Sequence, residues 1–414
     1  NFMLTVRFKQ YLIVYCLHMK RHILIHYGEI GLKRANIGYF VDKLRKRLKI
    51  LFKKYFGCNL SIKYTLGRLM VDLPKDFNFK KDEQKYAEVI RKVFGIKNFK
   101  FVYVGSTNLA KLGKQIWANL PEFDPENRPA DFKVSVKRSM TMPDKSFEMA
   151  RDIGAILLEN GLNMKVKLND PEFVVDVEFF NDLGYFSYKK YSGVGGLSPN
   201  SQGRLVSLIS SGIDSPVASY LMMKRGARVI FVHFHAYPYS DKDEMEHVKE
   251  LVKMLSDYQS DTKLYLIPYG QIQRAIATNL DIPAKIRIVL YRRTMIRIAE
   301  LITKRERAKG LVTGDNFGQV ASQTPENLFT IHEASTIPIF QPLIGFDKEE
   351  IIKIAERIGT FEISKLPCKD TCSMFAPKHP ELKANIYDVK KYEKNLPIQE
   401  WINKVFKEAE VLTF

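Results

Sequence analysis

Cysteine is scarce in this chain, with four in 414 residues. So few thiols exclude a disulfide scaffold and point to a reducing compartment, the cytoplasm. Long hydrophobic runs are absent. No stretch approaches the ~20 apolar residues that cross a membrane, so no membrane partner is expected. There is no internal repeat and no low-complexity tract, which excludes a solenoid. Acidic residues are in deficit, 46 against 65 Lys and Arg, and the formal net charge is +19. That excess suits a polyanionic partner, nucleic acid before an anionic membrane, or else a basic but solvated surface. What is present is a chain of 45% hydrophobic residues, long enough for two or three domains with ample core.

Residues 1–18 stand apart. The run Tyr11 to Leu17 follows Arg7 and Lys9, a little like a signal peptide, but no small-residue cleavage site follows it. Met19 is an alternative start, and 1–18 is an extension of unknown status. A first unit is expected over 19–78. It has a strand at His22–Ile25 and a helix from about Gly38 to Phe56. The apolar stripe of that helix is Phe40, Leu44, Leu48, Leu51, Phe52 and Phe56. Its other positions are rich in Lys and Arg, a face for phosphates or simply a solvated one. The Pro74 to Lys81 stretch reads as a linker. A second α/β unit is expected over 79–190, and Lys137-Arg138 ends one of its strands. The Gly193 to Pro199 boundary opens a third unit, 191–414. Strands and helices alternate there as in a parallel sheet covered on both faces.

The most informative stretch lies in that third unit. Leu205 to Ile209 reads as a buried strand, Ser210-Ser211-Gly212-Ile213-Asp214-Ser215 as a tight turn, and Pro216 onward as a helix. A helix N-terminus behind a Ser/Gly turn is an anion site, or else a turn with no ligand. It is not a Walker loop, because G-x-x-x-x-G-K-[ST] and its Lys are missing. The hexapeptide resembles the S-G-G-x-D-S pyrophosphate loop of ATP pyrophosphatases, with Ser211 in place of the usual first Gly.

Three further stretches narrow the resemblance. They are Gly195-Gly196-Leu197 leading into the loop, Thr313-Gly314-Asp315-Asn316-Phe317-Gly318-Gln319-Val320-Ala321-Ser322-Gln323-Thr324, and Cys372-Ser373-Met374-Phe375-Ala376-Pro377-Lys378-His379-Pro380. With His26-Tyr27-Gly28-Glu29 near the start, the chain resembles the tRNA 4-thiouridine synthetase family over roughly residues 20–400. The resemblance implies a multidomain α/β protein. Its parts would be an N-terminal ferredoxin-like domain, a THUMP RNA-binding domain and a doubly wound parallel-sheet ATP pyrophosphatase domain. It implies that ATP–Mg²⁺ adenylates O4 of a tRNA uridine and that sulfur then displaces AMP. A tRNA is therefore the expected partner, recognised mainly by shape. A cysteine desulfurase or another sulfur donor is a second partner, and a homodimer is one way to divide RNA grip and catalysis.

The family's nucleotide contacts carry over to Leu208, Ile209, Ser210, Gly212, Asp214, Ser215, His233, Phe234, Arg292, Gly314 and Gln323. Asp214 takes a catalytic or metal-positioning role, or is a helix-start carboxylate complementing the dipole. Asp315 stands where Glu is usual. Cys372 matches the family's catalytic cysteine, with Lys369 and Lys378 nearby to favour its thiolate. Cys368 is a candidate to resolve a persulfide on Cys372, or a passive loop thiol. Cys16 and Cys58 are taken as incidental. An iron–sulfur cluster wants three or four thiolates, so no resident metal is expected. Lys137 and Arg138 are the RNA-contact candidates, or a solvated strand end. Some family members carry a C-terminal rhodanese domain. The chain ends at Phe414 without one, which argues against sulfur delivery for thiamine. The competing readings are another ATP pyrophosphatase-type synthetase and a catalytically silent tRNA-binding protein.

Overall fold

The computed structural model describes residues 19–121, 128–138, 145–240, 242–367 and 375–414. The chain divides into two compact units, ending and beginning at Gly195 and Gly196.

The first unit is built on one sheet. Its strands are β1 (Arg21–Tyr27), β2 (Ile62–Thr65), β3 (Arg68–Asp72), β4 (Ile96–Gly105), β5 (Asp131–Arg138), β6 (Lys165–Val166), β7 (Phe173–Phe180), β8 (Leu183–Ser187) and β9 (Lys190–Ser192). The order is β2-β3-β1-β4-β8-β7-β5-β6, with β9 also on β4. Helix α1 (Ile37–Phe56) buries Phe40, Leu44, Leu48, Leu51 and Phe52 of the stripe that the periodicity predicts, and Phe56 at its end is half-buried. Gly57 ends it in the left-handed conformation, with φ 67°, and its N–H donates to the Lys53 carbonyl. Helix α2 (Phe79–Arg91) starts on an Asn78 cap. Helices α3 (Leu109–Ala118) and α4 (Ser146–Glu159) bury Leu112, Ile116, Met149, Ile153 and Leu157 against Phe132, Val175 and Val177.

The sequence reading placed a boundary after residue 78. In the fold, β4 pairs with β1 from Ile96 to Tyr103, completing a β-α-β-β-α-β pattern that α2 and β4 close. β4 then continues the same sheet through β8. A linker-like composition at 74–81 marks a turn within the first module rather than its end.

A buried ion cluster ties the two halves of this sheet. Lys100 on β4 lies 3.1 Å from Glu178 and 3.2 Å from Asp176, both on β7. His26 Nε2 on β1 is 3.1 Å from the same Glu178, and Arg68 on β3 packs over the Phe180 ring at 4.5 Å. Burial pushes the Glu178 carboxyl up, but His26 and then Lys100 more than offset this and hold it at about 2. Because the folded pKa is depressed, the stabilisation is present above the unfolded value near 4.5 and is lost as pH falls through about 2. Glu178→Gln leaves Lys100 short of a buried partner and is expected to cost about 3 kcal/mol. The check is the urea midpoint near neutral pH. The variant is also expected to lose less stability than the native chain on acidification.

The second unit carries β10 (Arg204–Leu208), β11 (Arg228–His235), β12 (Lys263–Pro268), β13 (Leu311–Val312), β14 (Ile339–Phe340) and β15 (Glu410–Thr413). The order is β14-β13-β10-β11-β12-β15. All pairs are parallel except β12–β15. Helices α5 (Asp214–Lys224), α6 (Asp243–Ser256), α7 (Gly270–Thr278), α8 (Arg287–Arg305), α9 (Pro325–His332), α10 (Lys348–Ile358), α11 (Phe361–Ser364), α12 (Ile386–Glu393) and α13 (Ile398–Glu408) surround it. Alternation along β10 decides which helix covers which face. Val206 joins the core of α7, α8 and α13. The Ser207 hydroxyl meets Ser219 of α5 at 2.8 Å. The sheet is thus covered on both faces, as expected for the doubly wound class.

Candidate functional site

β10 lies between β11 and β13, where the strand order reverses. At such a switch point the carboxyl ends of neighbouring strands diverge and leave a crevice. The loop leaving β10 enters α5 at Asp214. Its serines set its shape. Ser210 N–H donates to Ser215 Oγ at 2.8 Å, the two hydroxyls are 3.1 Å apart, and Gly212 N–H lies 3.3 Å from Ser210 Oγ. Ser219 Oγ donates to the Ser215 carbonyl at 2.8 Å, fixing the loop to the first turns of the helix. Ser211, the departure from the Gly pattern, does not adopt positive φ, so its side chain brings no backbone strain. Gly314 is different. A Cβ there would sit 2.8 Å from Ser215 N and 2.9 Å from its Cα. Glycine at 314 lets the loop after β13 pack directly on the start of α5.

A cavity of about 540 Å³ opens at these strand ends. Leu208, Ile209, Ser210, Gly212, Asp214, Ser215, His233, Phe234, Arg292, Gly314 and Gln323 all line it. Every nucleotide-contact candidate from the sequence therefore reaches one space. Glu244, Ile288, Met295, Val320 and Ser322 complete much of the wall.

Among the described residues, two buried acceptors in the wall, on His233 and Gln323, have no protein partner. His233 Nδ1 is 3.0 Å from the Ile209 carbonyl, so that nitrogen carries the proton. Burial lowers the His233 pKa to about 4, the Ile209 bond opposing and His235 adding to the effect. The ring is therefore neutral, and its Nε2 is a lone-pair acceptor without a partner. Gln323 Nε2 donates to Asp315 at 3.4 Å, which leaves its buried Oε1 unpaired. Orphaned buried acceptors are costly, and a ligand N–H or O–H satisfies them.

Arg292 is held rather than free. Its guanidinium lies 2.5 Å from Asp315 Oδ1 and 3.2 Å from Ser322 Oγ. Asp315 also accepts from Thr313 Oγ1 at 2.7 Å and Gln341 Nε2 at 3.4 Å, with His332 Nε2 at 3.8 Å. Burial pushes the Asp315 carboxyl up, but the Arg292 charge, then His332 and Thr313, hold it well below the usual carboxylate range. The Asp in place of Glu is thus an ionised anchor for Arg292.

Asp214 pairs with Lys348 Nζ at 2.6 Å and accepts from Gln319 Nε2 at 3.3 Å. An isolated carboxylate at a phosphate site is repulsive, and the Lys348 ammonium offsets it. Sequence reasoning missed Lys348, which starts α10 after the Asp347 cap. Its separation of 134 residues from Asp214 leaves no local signal. Gln341 and His332 were missed for the same reason.

Cys368 and Cys372 lie outside the described residues. The residues on either side of them reach the site. Ser364 Oγ is 3.3 Å from the Gly212 carbonyl, and Ala376 and Pro380 line the cavity. Asn327 Nδ2 donates to the Glu381 carbonyl of the following segment at 2.7 Å and to the Ala321 carbonyl at 2.6 Å. Among the described residues no group of three or more His, Cys, Asp or Glu is placed to hold a metal ion, and no helix is long and apolar enough to cross a membrane. Lys137 and Arg138 end β5 in the other unit and are not part of this cavity.

Three family models match the chain. They are the thiamine biosynthesis protein ThiI over residues 200–398, the ThiI ferredoxin-like domain over 22–99 and the THUMP domain over 112–188. The chain is similar to a probable tRNA sulfurtransferase of Caldanaerobacter subterraneus, 35% identical over 94% of this chain and 99% of the relative. A probable tRNA sulfurtransferase of Coxiella burnetii is 37% identical over 95% and 99%. Among solved structures, a 4-thiouridine synthetase in complex with RNA and bound ATP superposes with a TM-score of 0.84. It is 30% identical and covers 95% of this chain and all of its own.

Proposed function

This chain belongs to the tRNA sulfurtransferase family, and we propose that it uses ATP to replace O4 of a tRNA uridine with sulfur, giving 4-thiouridine. The observation that carries the reading is the convergence of all eleven nucleotide-contact candidates on one cavity at the sheet's switch point. His233 Nε2 and Gln323 Oε1 are acceptors suited to donors of a nucleotide, and Arg292 supplies fixed positive charge. The loop at 210–215 and the α5 N-terminus suit its phosphates. A Mg²⁺ ion would arrive on the triphosphate, and Asp214, which lines the cavity beside the loop, is the carboxylate suited to hold it.

The chemistry follows from a poor leaving group. Uracil O4 attacks the α-phosphorus, and pyrophosphate leaves. The adenylated oxygen then departs with AMP when a sulfur nucleophile attacks C4. In our reading Cys372 carries that sulfur as a persulfide received from a cysteine desulfurase or another donor. Attack by its terminal sulfur gives a C4–S–S–Cys372 adduct. Cys368 thiolate attacks the Cys372 sulfur, releasing 4-thiouridine and leaving a Cys368–Cys372 disulfide. A thiol reductant restores the pair.

RNA binding falls to the first unit. Lys137 and Arg138 end β5, and α1 exposes Lys46, Lys49, Lys53 and Lys54. Lys54 and Lys92 both lie over the exposed Tyr55 ring, at 5.4 and 5.3 Å. Aromatics interleaved with cations suit phosphates and bases together. A homodimer that grips with one copy and reacts with the other remains part of the proposal, as does a cytoplasmic location.

The test mixes purified protein, ATP–Mg²⁺, bulk tRNA and a sulfide source, and reads 4-thiouridine by its near-ultraviolet absorbance. The native chain is expected to thiolate, and Asp214→Ala to lose most of that signal. AMP release without thiolation would point to another acceptor and an amide-forming or related synthetase. Neither product would make the chain a silent tRNA-binding protein.

A further inference from the structure

The nucleotide cavity accounts for ATP, but the uracil ring also needs a surface that holds it against the phosphate end. A base inside a folded RNA must leave its stack to react, and proteins meet such bases with aromatic faces. Phe317 is an aromatic residue in the loop between the cavity residues Asp315 and Val320, and it is 58% exposed. Its backbone is fixed on both sides. Its own N–H reaches the Ile344 carbonyl at 3.3 Å, and Gly318 N–H donates to the Gln323 carbonyl at 2.9 Å. The preceding Asn316 is buried and its Nδ2 donates to the Phe346 carbonyl at 2.6 Å. Two residues on, Gln319 bonds Asp214. The ring thus projects from a loop whose next side chain but one touches the pyrophosphate-loop carboxylate. Val320 is 52% exposed and lines the cavity, and Ile344 is 37% exposed. Lys348 stands beside Asp214 with 43% of its side chain exposed, a cation for the phosphates flanking an extruded base.

We propose that Phe317 is the stacking platform for the target uracil, holding the ring while O4 meets the α-phosphorus. The inference rests on the function proposed above and adds the residue that receives the base. A planar aromatic suits a uracil face.

The test uses the full-length protein and steady-state thiolation at saturating ATP. Phe317→Ala and Phe317→Leu are each expected to lower kcat/KM for tRNA about 10- to 100-fold, the range for loss of one base stack. Phe317→Tyr is expected to restore most of it, because the ring is kept. KM for ATP stays unchanged in all of them. A purely structural role would not distinguish Leu from Tyr in this way. A second readout does not require turnover. In Phe317→Trp, indole fluorescence is expected to be quenched by substrate tRNA and not by the same tRNA with an abasic site at the target. Wild-type kcat/KM in the Ala and Leu variants, or equal quenching by both RNAs, overturns the proposal. Absence of 4-thiouridine from the native protein overturns the function instead, and the fluorescence comparison still judges the stack.

Discussion

Cys372→Ala is expected to abolish 4-thiouridine formation from a persulfide donor, with a loss on the order of 10³-fold or more, as when an enzyme loses its nucleophile. Binding of ATP should be largely unchanged, because most of the cavity wall comes from β10, β11, β13 and α8 with their loops, and the cysteine-bearing segment adds only Ala376 and Pro380 among the described residues. The position of the thiol along the chain supports this. Ser364 touches Gly212 of the pyrophosphate loop, and Ala376 and Pro380 are part of the wall. Free sulfide at high concentration is a nucleophile in its own right and should restore part of the product in the variant. Cys368→Ser is expected to behave differently. It should complete a first turnover and then stall unless an external thiol resolves the mixed disulfide. Full activity of Cys372→Ala with the persulfide donor would remove the carrier role. Full multiple turnover of Cys368→Ser without added thiol would remove the resolving role.

Asp315→Asn is expected to weaken ATP binding by roughly 30- to 1,000-fold, the cost of truncating one partner of a buried, hydrogen-bonded charge pair. Arg292 loses the carboxylate 2.5 Å away, while Thr313 and Gln341 lose a charged acceptor. Arg292→Met should show a comparable loss. The double variant should fall well short of the sum, since the two side chains act as one unit. Asp315→Glu keeps the charge and should retain more affinity than Asn. Because the Asp315 pKa is held below its ordinary value, its stabilising effect is present above that value and is lost as pH falls. ATP titration by calorimetry for the native chain and the four variants measures the affinities. A native-like affinity in Asp315→Asn would show that Arg292 does not need its anchor.

Much of the site could be read along the chain because its signals are local. The strand, the Ser/Gly turn and the helix around Ser210–Ser215 are contiguous, and each follows from period or turn chemistry. Alternating strands and helices after Gly196 imply a parallel sheet, and ligands then fall at the strand ends. His233 and Gly314 are found at such ends. The boundary after residue 78 failed for the opposite reason. Composition marks a turn at 74–81, but only the pairing of β4 with β1 decides which module the following residues join.

The sequence by itself determined the α/β class and the strand, Ser/Gly turn and helix of residues 205–224, because periodicity and turn residues are written locally. Tertiary structure alone decided the pairing of Lys348 with Asp214, the anchoring of Arg292 by Asp315, and the bond from Gln319, two residues after Phe317, to Asp214. It also decided that His233 is a neutral acceptor, since burial and the Ile209 carbonyl select one tautomer. Such pairings join residues distant in sequence, and their energies depend on burial and on the partners that packing supplies.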